Sequence, residues 1–267
     1  MPIDPNESPS RRVLAIVPAY NEAGSIAAVC RELAEHLPHV DVLVVDDGST
    51  DGTHRHVPST ARCVRLPFNL GIGIAVQTGY RYAFEHGYDM AMQIDADGQH
   101  PPEHAAALIH ALAESGADLV IGSRFLDDTP GNYRPPAGRM MGIVILRRVI
   151  RWLGGAAVTD CTSGFRVAGR RAIRCFAHWY PDDYPEPEVV LLLSRNGMAV
   201  VEAPIVMTDR EHGETSIPFH RGVFYVLKVS FALALDTFRK PWPDPLLKPD
   251  PSPPASPADP AASETTP

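Results

Sequence analysis

The chain is predicted to be an α/β protein, a mainly parallel sheet with helices on both faces. Two observations carry that prediction. Short continuous apolar runs, Val13-Leu14-Ala15-Ile16-Val17 and Val42-Leu43-Val44-Val45 foremost, have the composition of strands buried on both faces. Segments of helical periodicity lie between the runs, and strands alternating with helices imply βαβ units. A third observation bears on function. Polar clusters at Tyr20–Glu22, Asp46–Asp47 and Asp95–Asp97 all follow strand ends, and ligands of such sheets sit beyond the carboxyl ends of the strands.

Residues 1–12 are polar and contain proline, and are expected to be disordered. The first strand is expected to stop at Pro18, after which Asn21–Ser25 leads into an amphipathic helix through about His36. The second ends in Asp46 and Asp47, and Gly48–Thr53 is a turn with helix-capping residues, the expected role of Asp51. A weaker strand near Arg62–Leu66 precedes Asn69-Leu70-Gly71-Ile72-Gly73 and a helix to about His86. Asp89–Ile94 is a strand, Pro101–Ser115 a helix, and Asp118–Gly122 another strand.

The second half is less regular. A loop at Phe125–Gly138 is long enough to be functional. The helix predicted over Arg139–Leu153 sets Arg139, Arg147, Arg148 and Arg151 on an apolar frame. Thr159–Arg166 is followed by a helix near Arg170–Ala177. An acidic, proline-bearing stretch, Asp182–Glu188, opens a helix that ends at Asn196-Gly197. Met198–Val206 reads as a strand, 210–216 as a polar loop and Arg221–Phe238 as a strongly apolar helix. Within it Val223–Leu235 is too short to span a bilayer. A core helix is the default reading there, and an interfacial or partner-facing helix the alternative. From Pro241 onward ten prolines fall in 27 residues, a composition that cannot form a packed core. The expected organisation is therefore a disordered 1–12, one domain over 13–240 and a disordered 241–267.

Bulk properties exclude several classes of function. A formal charge of −8 gives no general field for nucleic acid or anionic lipid, so any basic site must be local. The four cysteines, Cys30, Cys63, Cys161 and Cys175, form no Cys-x-x-Cys pair and read as reduced thiols of a cytoplasmic protein. No apolar signal segment opens the chain and no run of ~18 apolar residues occurs.

Asp95-Ala96-Asp97 carries the sharpest chemistry. Side chains two apart on an extended segment point the same way, so both carboxylates can reach one object. For two acids that object is a hard divalent cation, Mg2+ or Mn2+, which typically takes one or two carboxylates plus substrate phosphates. An isolated Asp-x-Asp is more often a turn. Its place among two other acidic strand ends, with Arg124 and Arg210 downstream, favours the metal reading. Two other nucleotide-site designs are excluded: a P-loop is absent, and the third glycine position of Gly71-Ile72-Gly73 is Val76.

Several motifs occur in a fixed order: Val17-Pro18-Ala19-Tyr20-Asn21-Glu22, Val45-Asp46-Asp47-Gly48-Ser49-Thr50-Asp51-Gly52-Thr53, Asn69-Leu70-Gly71 and Asp95-Ala96-Asp97-Gly98-Gln99. Gly122-Ser123-Arg124, Thr162-Ser163-Gly164-Phe165 and Arg210-x-x-Gly213 continue the set. Together, over about residues 13–235, they resemble a family 2 glycosyltransferase of the Rossmann-like GT-A fold, most of all the dolichyl- and polyprenyl-phosphate sugar transferases.

The resemblance implies a donor site at Pro18, Tyr20, Asn21, Glu22, Asp46, Asp47, Asn69, Gly71, Asp95 and Ala96, with Arg124 and Arg210 on the phosphates. It implies a metal at Asp95 and Asp97 with Gln99 as a further ligand, and acceptor contacts from Arg139, Ser163 and Thr215 or Ser216. Glu186, Glu188 and Asp160 are the catalytic candidates, Glu186 lying nearest the position where many inverting relatives keep a base. Pro-Glu-Pro-Glu departs from the commoner Glu-Asp pair, and acids at a helix start also serve the helix dipole. A lipid phosphate, already anionic, needs little help from a base.

The expected activity is inverting transfer of a hexose from a UDP- or GDP-sugar to polyprenyl phosphate. Transfer to a saccharide or other hydroxyl in cell-surface polysaccharide synthesis is the alternative, and a non-catalytic nucleotide-sugar-binding regulator a third. A cytoplasmic protein peripheral at the inner face of the membrane fits the first, with a membrane-protein partner or homo-oligomer compatible with it. Relatives often carry C-terminal membrane-spanning segments, and here a proline-rich tail stands in their place.

Overall fold

The computed structural model describes residues 11–98, 102–126, 135–183, 185–206, 219–238 and 242–243. The elements run β1 (Val13–Ala19), α1 (Ile26–His36), β2 (Val40–Asp46), β3 (Arg62–Arg65), α2 (Ile72–Glu85), β4 (Met90–Gln93) and α3 (Pro102–Ser115). They continue with β5 (Leu119–Ser123), α4 (Ala137–Trp152), β6 (Arg166–Gly169), α5 (Arg170–His178), α6 (Pro185–Arg195), β7 (Val200–Pro204) and α7 (Phe219–Asp236).

One seven-stranded sheet is ordered β3-β2-β1-β4-β6-β5-β7. Only β6 runs against the others, pairing antiparallel with both β4 and β5. Alternation in the central strands divides the core in two. Val13, Ala15 and Val17 of β1 face a layer that holds α1 and α3. Leu14 and Ile16 face the opposite layer, built on α2, α5 and α6. Both faces are covered, as the apolar runs require.

Three expectations change. β1 does not stop at Pro18 but continues to Ala19, paired with β2 throughout. Proline is tolerated because its missing N–H falls on the β4 side, where pairing has already ended at Ile16–Gln93. The strand β6 was not anticipated, since four residues opening on an arginine give no apolar run. Beyond the expected boundary at 240, Trp242 packs against the core, its ring 6.4 Å from Trp179. The backbone N–H of Trp242 donates to Asn196 Oδ1 at 2.7 Å. The expected disordered ends at 1–10 and 244–267 lie outside the described residues, as does most of the long loop after β5.

Helix α7 is a core helix on one side only. Val229 and Leu233 are buried, whereas Phe224, Leu227, Phe231, Leu235 and, just past its end, Phe238 are exposed.

Candidate active site

The carboxyl ends of β1 and β2 are locked together by the polar residues that follow them. Asn21 holds a left-handed φ of 57°, a conformation asparagine tolerates better than most residues. Its Oδ1 accepts from Thr50 N at 2.9 Å, and its own N–H donates to Ser49 Oγ at 2.9 Å. Glu22 N donates to Thr53 Oγ1 at 2.9 Å, while Ser25 Oγ donates to the Glu22 carboxylate at 2.7 Å. Asp51 accepts from Thr53 and from Ala23 N, so it joins the two loops beyond capping its own turn. Desolvation alone would raise its carboxyl, but the hydrogen bonds from Thr53 and Ala23 together outweigh it and hold the group below its ordinary value.

The two acids ending β2 divide their work. Asp46 is buried; its Oδ1 accepts from Ser49 N at 2.9 Å and its Oδ2 lies 3.3 Å from Arg65 Nε. Asp47 reaches across to the next loop, accepting from Leu70 N at 2.8 Å and Gly71 N at 2.9 Å. That pair of bonds fixes the Asn69-Leu70-Gly71 loop over the strand ends. A cavity of about 230 Å³ lies there, lined by Pro18, Tyr20, Asp47, Asn69 and Gly71. A larger one of about 680 Å³ adjoins it, sharing Tyr20 and Asn69 and adding Arg55, Arg65 and Phe68. Its volume suits a nucleotide-sized ligand, and Tyr20 and Phe68 give it two solvent-facing rings.

On the other side of β1, the chain leaving β4 continues alongside through an Ile94 N–Ile16 O bond of 3.1 Å. Ala96 turns its methyl into the core, so it can meet a ligand only through its backbone. Asp95 and Asp97 flank it, both half-buried. The carboxylate of Asp95 lies over Gly164: a methyl there would sit 3.2 Å from both of its oxygens. Among the described residues no three acidic, histidine or cysteine side chains form a ready-made metal cage. Two carboxylates at a strand end still fit a hard cation whose remaining ligands come from a diphosphate. Gln99, Arg210, Thr215 and Ser216 lie outside the described residues.

Beneath Asp95 is a buried polar cluster that sequence reading missed. Arg166, opposite Gln93 in the sheet, is fully enclosed. Its Nε donates to Ser163 O at 2.6 Å and its Nη2 to Cys161 O at 3.2 Å. Tyr180 OH donates to Gln93 Oε1 at 3.4 Å. Tyr80 OH, Gln93 Nε2, Ser163 Oγ and Arg166 Nη1 are buried and make no hydrogen bond among the described residues. Such a concentration marks a place where water or substrate completes the network. Glu186, in the first turn of α6, adjoins it. Burial raises its carboxyl above the ordinary range; Arg166 pulls it back and Asp95 adds to the rise. A Gly73 N–Asp182 O bond of 3.2 Å ties the segment before α6 to the start of α2.

The sequence assigns Arg124 to phosphate and Asp160 to the acceptor side, and the structure sets the two against each other. Both are buried and they grip each other, Nε to Oδ2 at 2.6 Å and Nη2 to Oδ1 at 2.8 Å. Asp160 N and Thr159 N donate to Glu202, which braces the pair from β7. Arg139 is exposed in the first turn of α4, and Glu188 is half-buried one turn into α6.

The profile of "Glycosyl transferase family 2" matches residues 14–179. The chain belongs to that family. An undecaprenyl-phosphate mannosyltransferase of Micrococcus luteus is 34% identical over 223 residues, covering 77% of this chain and 87% of the relative. A polyprenol monophosphomannose synthase of Mycolicibacterium smegmatis is 32% identical over 216 residues, covering 77% and 80%. Among solved structures, a Mycobacterium tuberculosis glucosyl-3-phosphoglycerate synthase complexed with Mn2+ and UDP aligns with TM-score 0.62 at 20% identity. That alignment covers 85% of this chain and 80% of the synthase, and establishes the shared GT-A fold.

Proposed function

We propose that this family 2 glycosyltransferase moves a hexose from a UDP- or GDP-sugar to polyprenyl phosphate, inverting the anomeric carbon. The observation that carries the reading is the convergence of the Asp47-held loop and the Asp95–Asp97 pair on either side of β1. The names of the two relatives, an undecaprenyl-phosphate mannosyltransferase and a polyprenol monophosphomannose synthase, support the acceptor class.

The larger cavity takes the nucleoside, with Tyr20 and Phe68 against the base and the Asn69–Gly71 loop over the diphosphate. Asp95 and Asp97 would hold Mg2+ or Mn2+, with Gln99 the expected further ligand. When bound, the cation neutralises charge on the departing diphosphate without any proton transfer. An oxygen of the acceptor phosphate attacks the anomeric carbon from the face opposite that diphosphate. The bond from that carbon to the donor phosphate oxygen breaks, and its electron pair leaves with the nucleoside diphosphate. Arg210 is expected to add positive charge there, while Arg139 and Ser163 are the expected acceptor contacts. Arg124 acts from behind, through its pair with Asp160.

One observation favours a hydroxyl acceptor as the second reading. The Glu186 carboxyl, raised by burial beside Asp95, has the setting of a general base. Labelled-sugar transfer to extracted lipid, compared with soluble saccharides, separates the two; label only in the aqueous product would sink the lipid version. A non-catalytic sugar-nucleotide sensor requires binding without turnover. Metal-dependent donor hydrolysis that disappears in Asp97→Ala would dispose of it. A thermal-shift panel of nucleotide sugars with Mn2+ identifies the donor, since a ligand of the folded state raises stability.

A further inference from the structure

We propose that the outward face of the α4–α7 helix pair is a docking surface that lies flat on an anionic lipid bilayer. The proposal extends the transfer reading, because a polyprenyl phosphate resides in a bilayer, but its evidence is the surface itself. On α7, Phe224, Leu227, Phe231 and Leu235 are exposed at i, i+3, i+7 and i+11, one continuous stripe that Phe238 prolongs. Phe231 at its centre keeps 67% of its surface open. On α4, Met141, Ile145 and Trp152 form a second exposed stripe, Trp152 being 84% open. The helices pack closely: a methyl on Gly142 would come within 2.9 Å of Val226 Cγ2. Eight large apolar side chains thus stay exposed on one packed helix pair. Soluble monomers rarely leave contiguous apolar patches beyond roughly a few hundred Å² uncovered.

Charge selects the occupant. The sequence of these two helices holds six basic residues, Arg139, Arg147, Arg148, Arg151, Arg221 and Lys228, and one acid, Asp236, in a chain of net −8; Lys228 is paired with Asp183 at 2.7 Å, so the arginines carry the charge. Asp236 is buried. Arg148 and Arg151 are exposed beside the α4 stripe. Apolar stripes beside arginines, with an aromatic ring at the margin, match the acyl–headgroup boundary of an anionic membrane. A second copy of the chain would set these arginines against each other. No helix of the described residues is long and apolar enough to cross a membrane, so the contact is parallel to the surface. At 18 residues α7 offers a stripe about 27 Å long. Both helices are fed from the carboxyl edge of the sheet, α4 after β5 and α7 after β7, which brings the bilayer to the edge where the site opens.

The test is sedimentation of the full chain with vesicles of phosphatidylcholine alone and mixed equally with phosphatidylglycerol, with no donor or acceptor present. Binding is expected only to the mixed vesicles and to weaken as salt rises. The pair Phe224→Ser, Phe231→Ser and the pair Arg148→Glu, Arg151→Glu should each lower it about tenfold or more. Exposed positions should leave the melting temperature nearly unchanged, and transfer to a detergent-dispersed short-chain prenyl phosphate should persist. Wild-type chain that ignores anionic vesicles, or variants that bind them like wild type, would overturn the proposal. So would concentration-dependent dimerisation abolished by the same serines, which would assign the face to a second copy. Because vesicle binding is read without turnover, failed docking and a failed transfer assay are distinguishable.

Discussion

Arg124 and Asp160 form a buried, two-pronged ion pair at the carboxyl end of β5, with Thr162 Oγ1 accepting a further bond from the same guanidinium at 3.0 Å. Removing one member strands the other's charge in the interior, which typically costs about 3–5 kcal/mol. Asp160→Ala and Arg124→Ala are therefore both expected to lower the unfolding free energy by that order. The double variant should cost less than the sum of the two. Denaturant melts of the three variants check this, and additive losses would contradict the pairing.

The Glu186 carboxyl should leave a pH signature in stability. Its folded form prefers the proton more than the unfolded form does, chiefly through burial. The cost of ionising it is thus absent below the ordinary value of 4.5, where both states are protonated, and grows as pH rises through the folded value. Glu186→Gln should raise the melting temperature by a few degrees at neutral pH, with the gain fading as pH falls toward that ordinary value. Polyprenyl-phosphate transfer should stay within ~10-fold of wild type, whereas a general-base role predicts a loss of ~10²–10⁴.

Much of this was legible from the residues, and the gaps have physical causes. Buried parallel strands betray themselves as apolar runs, so β1, β2, β4 and β5 were readable, as were the acids that end β2 and β4. β6 is four residues long and starts on Arg166, whose burial depends on carbonyls of the preceding loop. No periodicity reports that. Local pattern likewise placed Arg124 and Asp160 near the strand ends, but could not show that residues 36 apart in sequence spend their charges on each other.

Arg166 is expected to be the most sensitive position that sequence reading overlooked. Its replacement by Met leaves the Ser163 and Cys161 carbonyls without their donor, at about 1–3 kcal/mol for each buried group left unmade. It also removes the positive charge that offsets Glu186. Glu186→Gln should then recover part of the stability lost in Arg166→Met, more than it adds to wild type. A double-mutant cycle by thermal melts measures the coupling; equal effects in both backgrounds would show that the two groups do not interact.

Asp47 should act on donor affinity rather than on the chemical step. Asp47→Ala frees two backbone N–H groups and releases the Asn69–Gly71 loop from the strand ends. The expected result is a donor KM raised by ~10-fold or more with kcat less affected, since lost loop order is paid at binding. A kcat loss with unchanged KM would place the loop's role in the transition state instead.

Gly164→Ala isolates the position of Asp95 from its charge. The added methyl would stand 3.2 Å from both carboxylate oxygens, tighter than nearly all such contacts, and in ordinary contact with Gln93 Nε2 at 3.4 Å. The carboxylate is a side-chain end and can yield by a few tenths of an ångström, so the fold should survive with a melting temperature near wild type. Catalysis should not be so forgiving, because a displacement of ~1 Å in a positioned group can cost about 10²-fold. A shift of a fraction of that is expected to lower kcat/KM by roughly 10-fold and to weaken Mn2+-dependent donor binding with it. Titration of Mn2+ in the presence of donor, beside the thermal melt, separates this outcome from general damage. Unchanged metal dependence in a stable Gly164→Ala variant would show that Asp95 does not need the place that glycine leaves it.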